Sequence, residues 1–247
     1  MMSAPPLDLL AIAPHPDDAE LLCGGALARS AGLGRKVGIL DLTRGETGTK
    51  GTPEQRAEEA AEAAEVLGVV VRENAGLPDA GLFNTDDSRE RLVAILRRLQ
   101  PRVVILPFLT SRHPDHRIAA ELGRDACFLA GLANYGGEKL RTLEARRPTK
   151  VIHSLAYRED PVKPTFVVGL TEEEFGRKLE AVSCYSSQFA GATKAGELFP
   201  TGQPLLELVE SQARHYGSLV RRPFGEPFWT PETIEVDDLA TLGVFSL

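Results

Sequence analysis

Two short stretches bring histidine and aspartate together: Pro14-His15-Pro16-Asp17-Asp18-Ala19-Glu20 and, about a hundred positions later, His113-Pro114-Asp115-His116. Imidazole and carboxylate are zinc ligands, and a catalytic zinc keeps three of them and leaves its fourth position to water. His15, Asp18 and His116 are therefore assigned to one divalent metal, zinc first. Two neutral imidazoles and one carboxylate leave the ion net positive, which lowers the pKa of bound water to roughly 7. Neighbouring side chains point in different directions, so one of the paired aspartates is free as a general base. Asp18 is taken as ligand and Asp17 as base, an order that spacing alone leaves open. In the second stretch one histidine can reach the metal while the other stands over the pocket as acid or oxyanion stabiliser. Asp115, between them, suits a carboxylate that orients an imidazole. The expected chemistry is water attack on a carbonyl, with zinc and His113 sharing the developing charge, which implies an amide or ester hydrolase.

Each stretch alone has a plainer reading. An Asp before a helix is often its cap, and a lone histidine is more often a turn or packing residue than a ligand. The two together, at comparable places, favour the metal. His153 is expected to be a satisfied core or edge residue and His215 a surface one. Cys23, Cys127 and Cys184 lack Cys-x-x-Cys spacing; Cys23 and Cys127, in expected helices among Leu, Ala and Phe, are read as buried free thiols in a reducing compartment, with Cys23 a conceivable extra ligand.

The positioning elements follow from apolar runs. Leu7 to Ala13 reads as a strand ending at the first stretch, with a helix over Leu21–Ala31; Arg102 to Pro107 reads as a strand ending at the second, with a helix from Arg117 to Leu132. Between them come a strand at Lys36–Leu42, a Gly-rich loop from Thr43 to Gly51, and a helix begun by Thr52 and Pro53 and ending at Leu67. A strand at Val69–Val71, a loop from Glu73 to Asp86 and a helix from about Ser88 to Leu99 complete the half. Alternating strand and helix predict an α/β, Rossmann-like, doubly wound and mostly parallel sheet, with both His stretches on one edge. Beyond Asn134 strands are expected at Val151–Tyr157 and Thr165–Leu170, helices at Thr171–Tyr185 and Pro204–Val220, and a Pro- and aromatic-rich tail from Pro223. This part reads as a smaller cap within a single domain spanning 1–247. Arg56, in the first turn of its helix, is expected to point toward the pocket.

The chain has 247 residues, 43% hydrophobic and 26% charged, with a formal net charge of −7. Those values suit a soluble globular protein. The acidic balance without a basic stripe argues against nucleic acid, no apolar run would span a bilayer, and no secretion signal leads the chain, so a cytoplasmic location is expected.

These residues resemble the PIG-L/LmbE-type zinc deacetylases of N-acetylglucosaminyl (GlcNAc) conjugates. The Pro-His-Pro-Asp-Asp-x-Glu signature stands at Pro14–Glu20 and His-Pro-Asp-His at His113–His116. The resemblance implies one zinc per chain on His15, Asp18 and His116, Asp17 as base, His113 stabilising the oxyanion or protonating the amine, and Asp115 tuning it. Glu46, in Thr43-Arg44-Gly45-Glu46, and Arg56 match positions associated with the sugar pocket. Lys178-Leu179-Glu180-Ala181, Tyr185-Ser186-Ser187-Gln188-Phe189 and Tyr216-Gly217 before Gly225-Glu226-Pro227-Phe228 are similar to the bacillithiol-biosynthesis branch, which implies N-acetylglucosaminyl malate as substrate and a homo-oligomer, often a hexamer. Ser186-Ser187 departs from that branch's frequent Lys-Ser pair, and Phe199-Pro200-Thr201-Gly202 looks like an insertion. A malate arm would want a cation, with Arg56, Arg112 and Arg214 as candidates by charge. The competing expectations are the same chemistry on GlcNAc-inositol or diacetylchitobiose, a magnesium phosphoesterase, or a sugar- or zinc-binding protein without turnover. The same ligands also accept iron or cobalt.

Overall fold

The computed structural model describes residues 6–156, 162–189 and 205–244. In chain order these form β1 (Leu9–Ala13), α1 (Asp18–Gly32), β2 (Val37–Asp41), α2 (Pro53–Leu67), β3 (Val71–Asn74), α3 (Asp86–Leu99), β4 (Val103–Leu106), α4 (Pro114–Leu129), α5 (Gly137–Arg141), β5 (Lys150–Ser154), β6 (Phe166–Leu170), α6 (Glu172–Ser183), α7 (Ser186–Phe189), α8 (Leu205–Leu219) and β7 (Phe224–Trp229). One seven-stranded sheet runs in the order β3-β2-β1-β4-β5-β7-β6. The first five strands of that order are parallel, and β7 is antiparallel to both its neighbours.

Why β1 is an unbroken apolar run is visible in its two faces. Leu10 and Ile12 enter the core under α3 and α4, whereas Ala11 and Ala13 enter the core under α1, α2 and α6. A parallel strand covered on both sides has no polar face to alternate with. The helices begin where local chemistry satisfies their first N–H groups. Thr52 with Gln55, Thr85 with Ser88 and Thr171 with Glu174 each form a reciprocal capping box. Gly68 closes α2 at φ 74°, in the left-handed region that costs glycine least.

Strand order reverses between β1 and β4, so the chain leaves these adjacent strands toward opposite faces and opens a crevice at their carboxyl ends. Both His stretches leave the sheet there.

Several boundaries differ from the sequence expectation. Helix α4 starts at Pro114, so His113 is its cap and His116 lies in its first turn. The third strand falls at Val71–Asn74 and not at 69–71. The Pro- and aromatic-rich tail contains a buried strand, β7, inserted between β5 and β6. Residues beyond 134 thus extend the sheet as well as cover it. Tyr157 and the Phe199–Gly202 stretch lie outside the described residues.

Candidate metal and catalytic centre

The loop after β1 is fixed to the loop after β2, because the Pro14 carbonyl accepts from both the Thr43 N–H (3.0 Å) and its hydroxyl (2.9 Å). Within that loop the His15 N–H donates to Asp18 Oδ2 at 3.1 Å, and His15 Nδ1 lies 2.9 Å from the same oxygen. The other Asp18 oxygen is 3.3 Å from His116 Nε2. Asp17, between them, has φ 108°, a left-handed conformation that few L-residues adopt and that collects at functional turns. The three imidazoles cluster, with ring centroids 5.0 Å apart for His15–His113, 5.4 Å for His113–His116 and 5.7 Å for His15–His116.

Two donor triads, His15–Asp18–His116 and His15–His113–Asp115, each have their atoms within 4.8 Å of one another. The first fits a metal better. Its members face each other through His15 Nδ1, Asp18 and His116 Nε2, while the remaining nitrogen of His15 and the Nδ1 of His113 are already engaged. His15 Nε2 lies 3.1 Å from Asp79 Oδ1 and 3.3 Å from Asp115 Oδ2, and His113 Nδ1 accepts from the Asp115 N–H at 3.2 Å. A carboxylate behind a ligating imidazole fixes its tautomer and raises its basicity. The pocket is also built to hold positive charge: although burial opposes it, hydrogen bonds to Asp115, Asp18 and Asp79 push the His15 pKa up to about 12. The set of one carboxylate and two imidazoles therefore fits a divalent transition metal.

The two adjacent aspartates diverge. Burial and the neighbouring Asp18 raise Asp17 well above the usual carboxylate range, opposed by Arg56 and His15. Asp18 is buried too, yet His116 and His15 hold it well below that range. For His113, burial and the neighbouring His15 and His116 lower the pKa, so its ring is neutral. With Nδ1 accepting from backbone, its proton sits on Nε2, making it a donor at neutral pH.

Three expectations change in detail. Asp115 faces His15, not His113, because the first turn of α4 carries it under the β1 loop, where it also accepts the Ala80 N–H at 2.8 Å. Arg56 is buried and not offered to the pocket. Its guanidinium donates to the carbonyls of Pro16 (2.5 Å) and Gly45 (3.3 Å) and to Asp17 Oδ2 (3.2 Å). Glu46 is exposed and links two strand-end loops, accepting the Arg44 and Asp79 N–H groups at 3.1 and 3.0 Å. Of the other cations, Arg112 is exposed just before His113, whereas Arg214 pairs with Glu210 at 2.8 Å and lies over the Phe224 ring. Cys23 is buried, donates to the Ala19 carbonyl and belongs to neither donor set. His153 is buried with Nδ1 against the Pro107 carbonyl, and His215 is exposed, as expected.

Sequence reasoning missed Asp79. Its Oδ2 is anchored by the Thr47 N–H (2.8 Å) and hydroxyl (2.6 Å) while Oδ1 meets His15. The available signal was its place in the loop after β3, which opens on the same sheet edge as the His stretches.

A mostly parallel sheet whose switch point gathers a His–Asp–His triad beside a second carboxylate has the donor set that could hold a divalent metal and activate water. The profile of the GlcNAc-PI de-N-acetylase family, PIG-L, matches residues 10–127. A conserved protein of Thermus thermophilus, TT1542, has a similar solved structure, with 41% identity, a TM-score of 0.81, and coverage of 94% of this chain and 98% of that one. The diacetylchitobiose deacetylase of Thermococcus kodakarensis is 29% identical over 228 residues, 88% of this chain and 80% of its own. A 1D-myo-inositol 2-acetamido-2-deoxy-alpha-D-glucopyranoside deacetylase of Rhodococcus jostii is 31% identical over 162 residues, 51% of this chain and 55% of that protein. The chain belongs to the PIG-L/LmbE deacetylase family, and it is a hydrolytic N-deacetylase.

Proposed function

We propose that the chain removes the acetyl group from the amide of a small GlcNAc conjugate, using zinc held by His15, Asp18 and His116. The observation that carries this reading is the convergence of those three side chains, with the adjacent carboxylate, Asp17, outside the triad and accepting from Arg56. When bound, zinc supplies a Lewis acid and makes hydroxide available from water near neutral pH. Asp17 accepts the proton of the attacking water; burial and Asp18 raise its proton affinity, and the Arg56 guanidinium 3.2 Å from its Oδ2 opposes that rise and orients the carboxylate. His113 donates its Nε2 proton as a hydrogen bond to the oxygen on which charge develops. As the C–N bond breaks, the proton on Asp17 passes to the departing amine nitrogen. Asp115 and Asp79 keep His15 in the tautomer that offers Nδ1 to the metal.

For the substrate we favour N-acetylglucosaminyl malate, on the resemblance of the C-terminal stretches to the bacillithiol-biosynthesis branch, with the exposed Arg112 beside the pocket as the cation for the malate carboxylates. Diacetylchitobiose is the second reading, favoured by the breadth of the Thermococcus match. Among the described residues no helix is long and apolar enough to cross a membrane, and we place the enzyme in the cytoplasm as a homo-oligomer. The test is amine release by the zinc-loaded protein from N-acetylglucosaminyl malate, GlcNAc-inositol and diacetylchitobiose side by side. The fastest turnover is expected on the malate conjugate; preference for another glycoside overturns the aglycone, and inactivity on all three overturns the reaction.

A further inference from the structure

Helix α1, which follows the first His stretch, is not one helix. Cys23 has φ −152° and ψ 18°, and the helix kinks there. The segment before the break, Asp18 to Leu22, carries a metal ligand and is little more than one turn. A helix so short does not hold its own direction in water, so its aim must come from elsewhere. Glu20 gives it one anchor, accepting from Arg72 at 2.5 Å and from the Tyr185 hydroxyl at 3.1 Å.

The break frees backbone groups on both sides, and distant side chains meet them. Glu226, on β7, accepts the Gly25 N–H at 2.9 Å and the Ala26 N–H at 2.7 Å through its two oxygens. Its carboxylate thus serves the second segment as a cap supplied from 200 residues away. The Lys178 ammonium, on α6, pairs with Glu226 at 2.6 Å and donates to the Leu21 carbonyl at 2.8 Å. The Ser154 hydroxyl, at the end of β5, donates to the Leu22 carbonyl at 2.7 Å. Lys178 and Glu226 are only 3% and 2% exposed, so removing either one breaks a buried ion pair and takes away its opposite charge.

The glycine pair in α1 makes this approach possible. A Cβ at Gly25 would lie 2.3 Å from Leu170 Cδ1 and 3.2 Å from Glu226 Oε1, and one at Gly24 would lie 3.3 Å from Lys178 Cγ. An unbroken helix with ordinary side chains there could not admit the clamp.

We infer that Ser154, Lys178 and Glu226 are positioning residues for the metal centre: they clamp the break in α1 and so aim the short segment that carries Asp18, with Asp17 at its cap. The inference rests on the metal reading of His15, Asp18 and His116. It also gives Lys178 and Glu226, two of the residues that resemble the bacillithiol branch, a place against α1 and not against substrate.

The test measures Co2+ affinity by chelator competition, together with the visible absorption of the Co2+ protein, which reports ligand geometry without turnover. Glu226→Gln is compared with Leu92→Ala, a buried change in α3 on the far side of the sheet, with the two read at equal distance below their melting temperatures. Glu226→Gln is expected to weaken Co2+ binding about tenfold to hundredfold, the range for losing a partner behind a ligand. It should also shift the Co2+ band and lower kcat more than it raises KM, while Leu92→Ala leaves affinity and band unchanged. Should Glu226→Gln not fold, Ser154→Ala, which removes one hydroxyl, is expected to give a smaller weakening with the same band shift. Unchanged affinity and band in the folded clamp variant, or equal losses in the control, overturn the inference alone. A wild type that binds no Co2+ overturns the metal reading, and the inference with it.

Discussion

The two helices that begin at the candidate metal centre start in opposite ways. Helix α4 is self-contained: Pro114 occupies its first position with φ already suited, His113 accepts the Asp115 N–H, and the helix runs unbroken for 16 residues. Helix α1 starts at Asp17 with no side-chain cap bond and breaks at Cys23. What α4 obtains from its neighbours in sequence, α1 obtains from β5, α6 and β7. One imidazole is therefore placed by local rules, whereas the segment bearing the carboxylate opposite it is held by the His15 N–H and also by contacts more than a hundred residues away. The contrast explains why a site borne by the first half of the chain needs the second half.

The predictions probe that contrast, beginning with the ligands it positions. His116→Ala is expected to abolish stoichiometric metal, read as zinc per chain, and with it turnover; a variant that keeps full zinc would mean that the triad is wrong. Asp17→Asn should retain metal while kcat falls by about a hundredfold to ten-thousandfold, the contribution of a positioned base; loss of metal instead would exchange the roles of the two aspartates. His113→Ala should lower kcat about a hundredfold with zinc content intact. It also removes the cap of α4, at a cost of about 1 kcal/mol in a denaturant melt. His113→Asn restores a capping oxygen and should recover the stability but not the rate, which separates the two duties of that ring. Thr85→Ala, at the reciprocal cap of α3, is the smallest change: about 1 kcal/mol of stability is lost and kcat stays at the wild-type value. If it lowers kcat as well, locally capped helices are not independent of the centre.

Much of the first half was readable because its signals are short-range. The apolar runs of β1 and β4 are continuous since both sheet faces are covered, and Thr52-Pro53 announces α2 by the two residues best suited to open a helix. His15, Asp18 and His116 could be grouped because parallel connectivity sends both stretches to one edge. What could not be read depends on contacts with no local trace. Arg56 looks like any cation in a first helical turn until packing encloses it under Pro16. Asp79 sits in an ordinary turn sequence, and its orientation toward His15 follows from Thr47, two loops away. Strand β7 was hidden because Phe-Gly-Glu-Pro-Phe-Trp neither alternates nor lacks proline; it is a strand because β5 and β6 leave a slot that its buried residues fill. The polar residue inside it, Glu226, is there for the break in α1.

The backbone at Asp17 carries a further consequence. An L-residue held at φ 108° stores about 1–3 kcal/mol of strain, which glycine would release. Durability and turnover therefore pull against each other at a single position: Asp17→Gly should forfeit the reaction yet melt at a higher temperature than Asp17→Asn, which keeps the crowded turn. Heat tolerance engineered into this loop would be gained at the expense of the very group that makes it reactive.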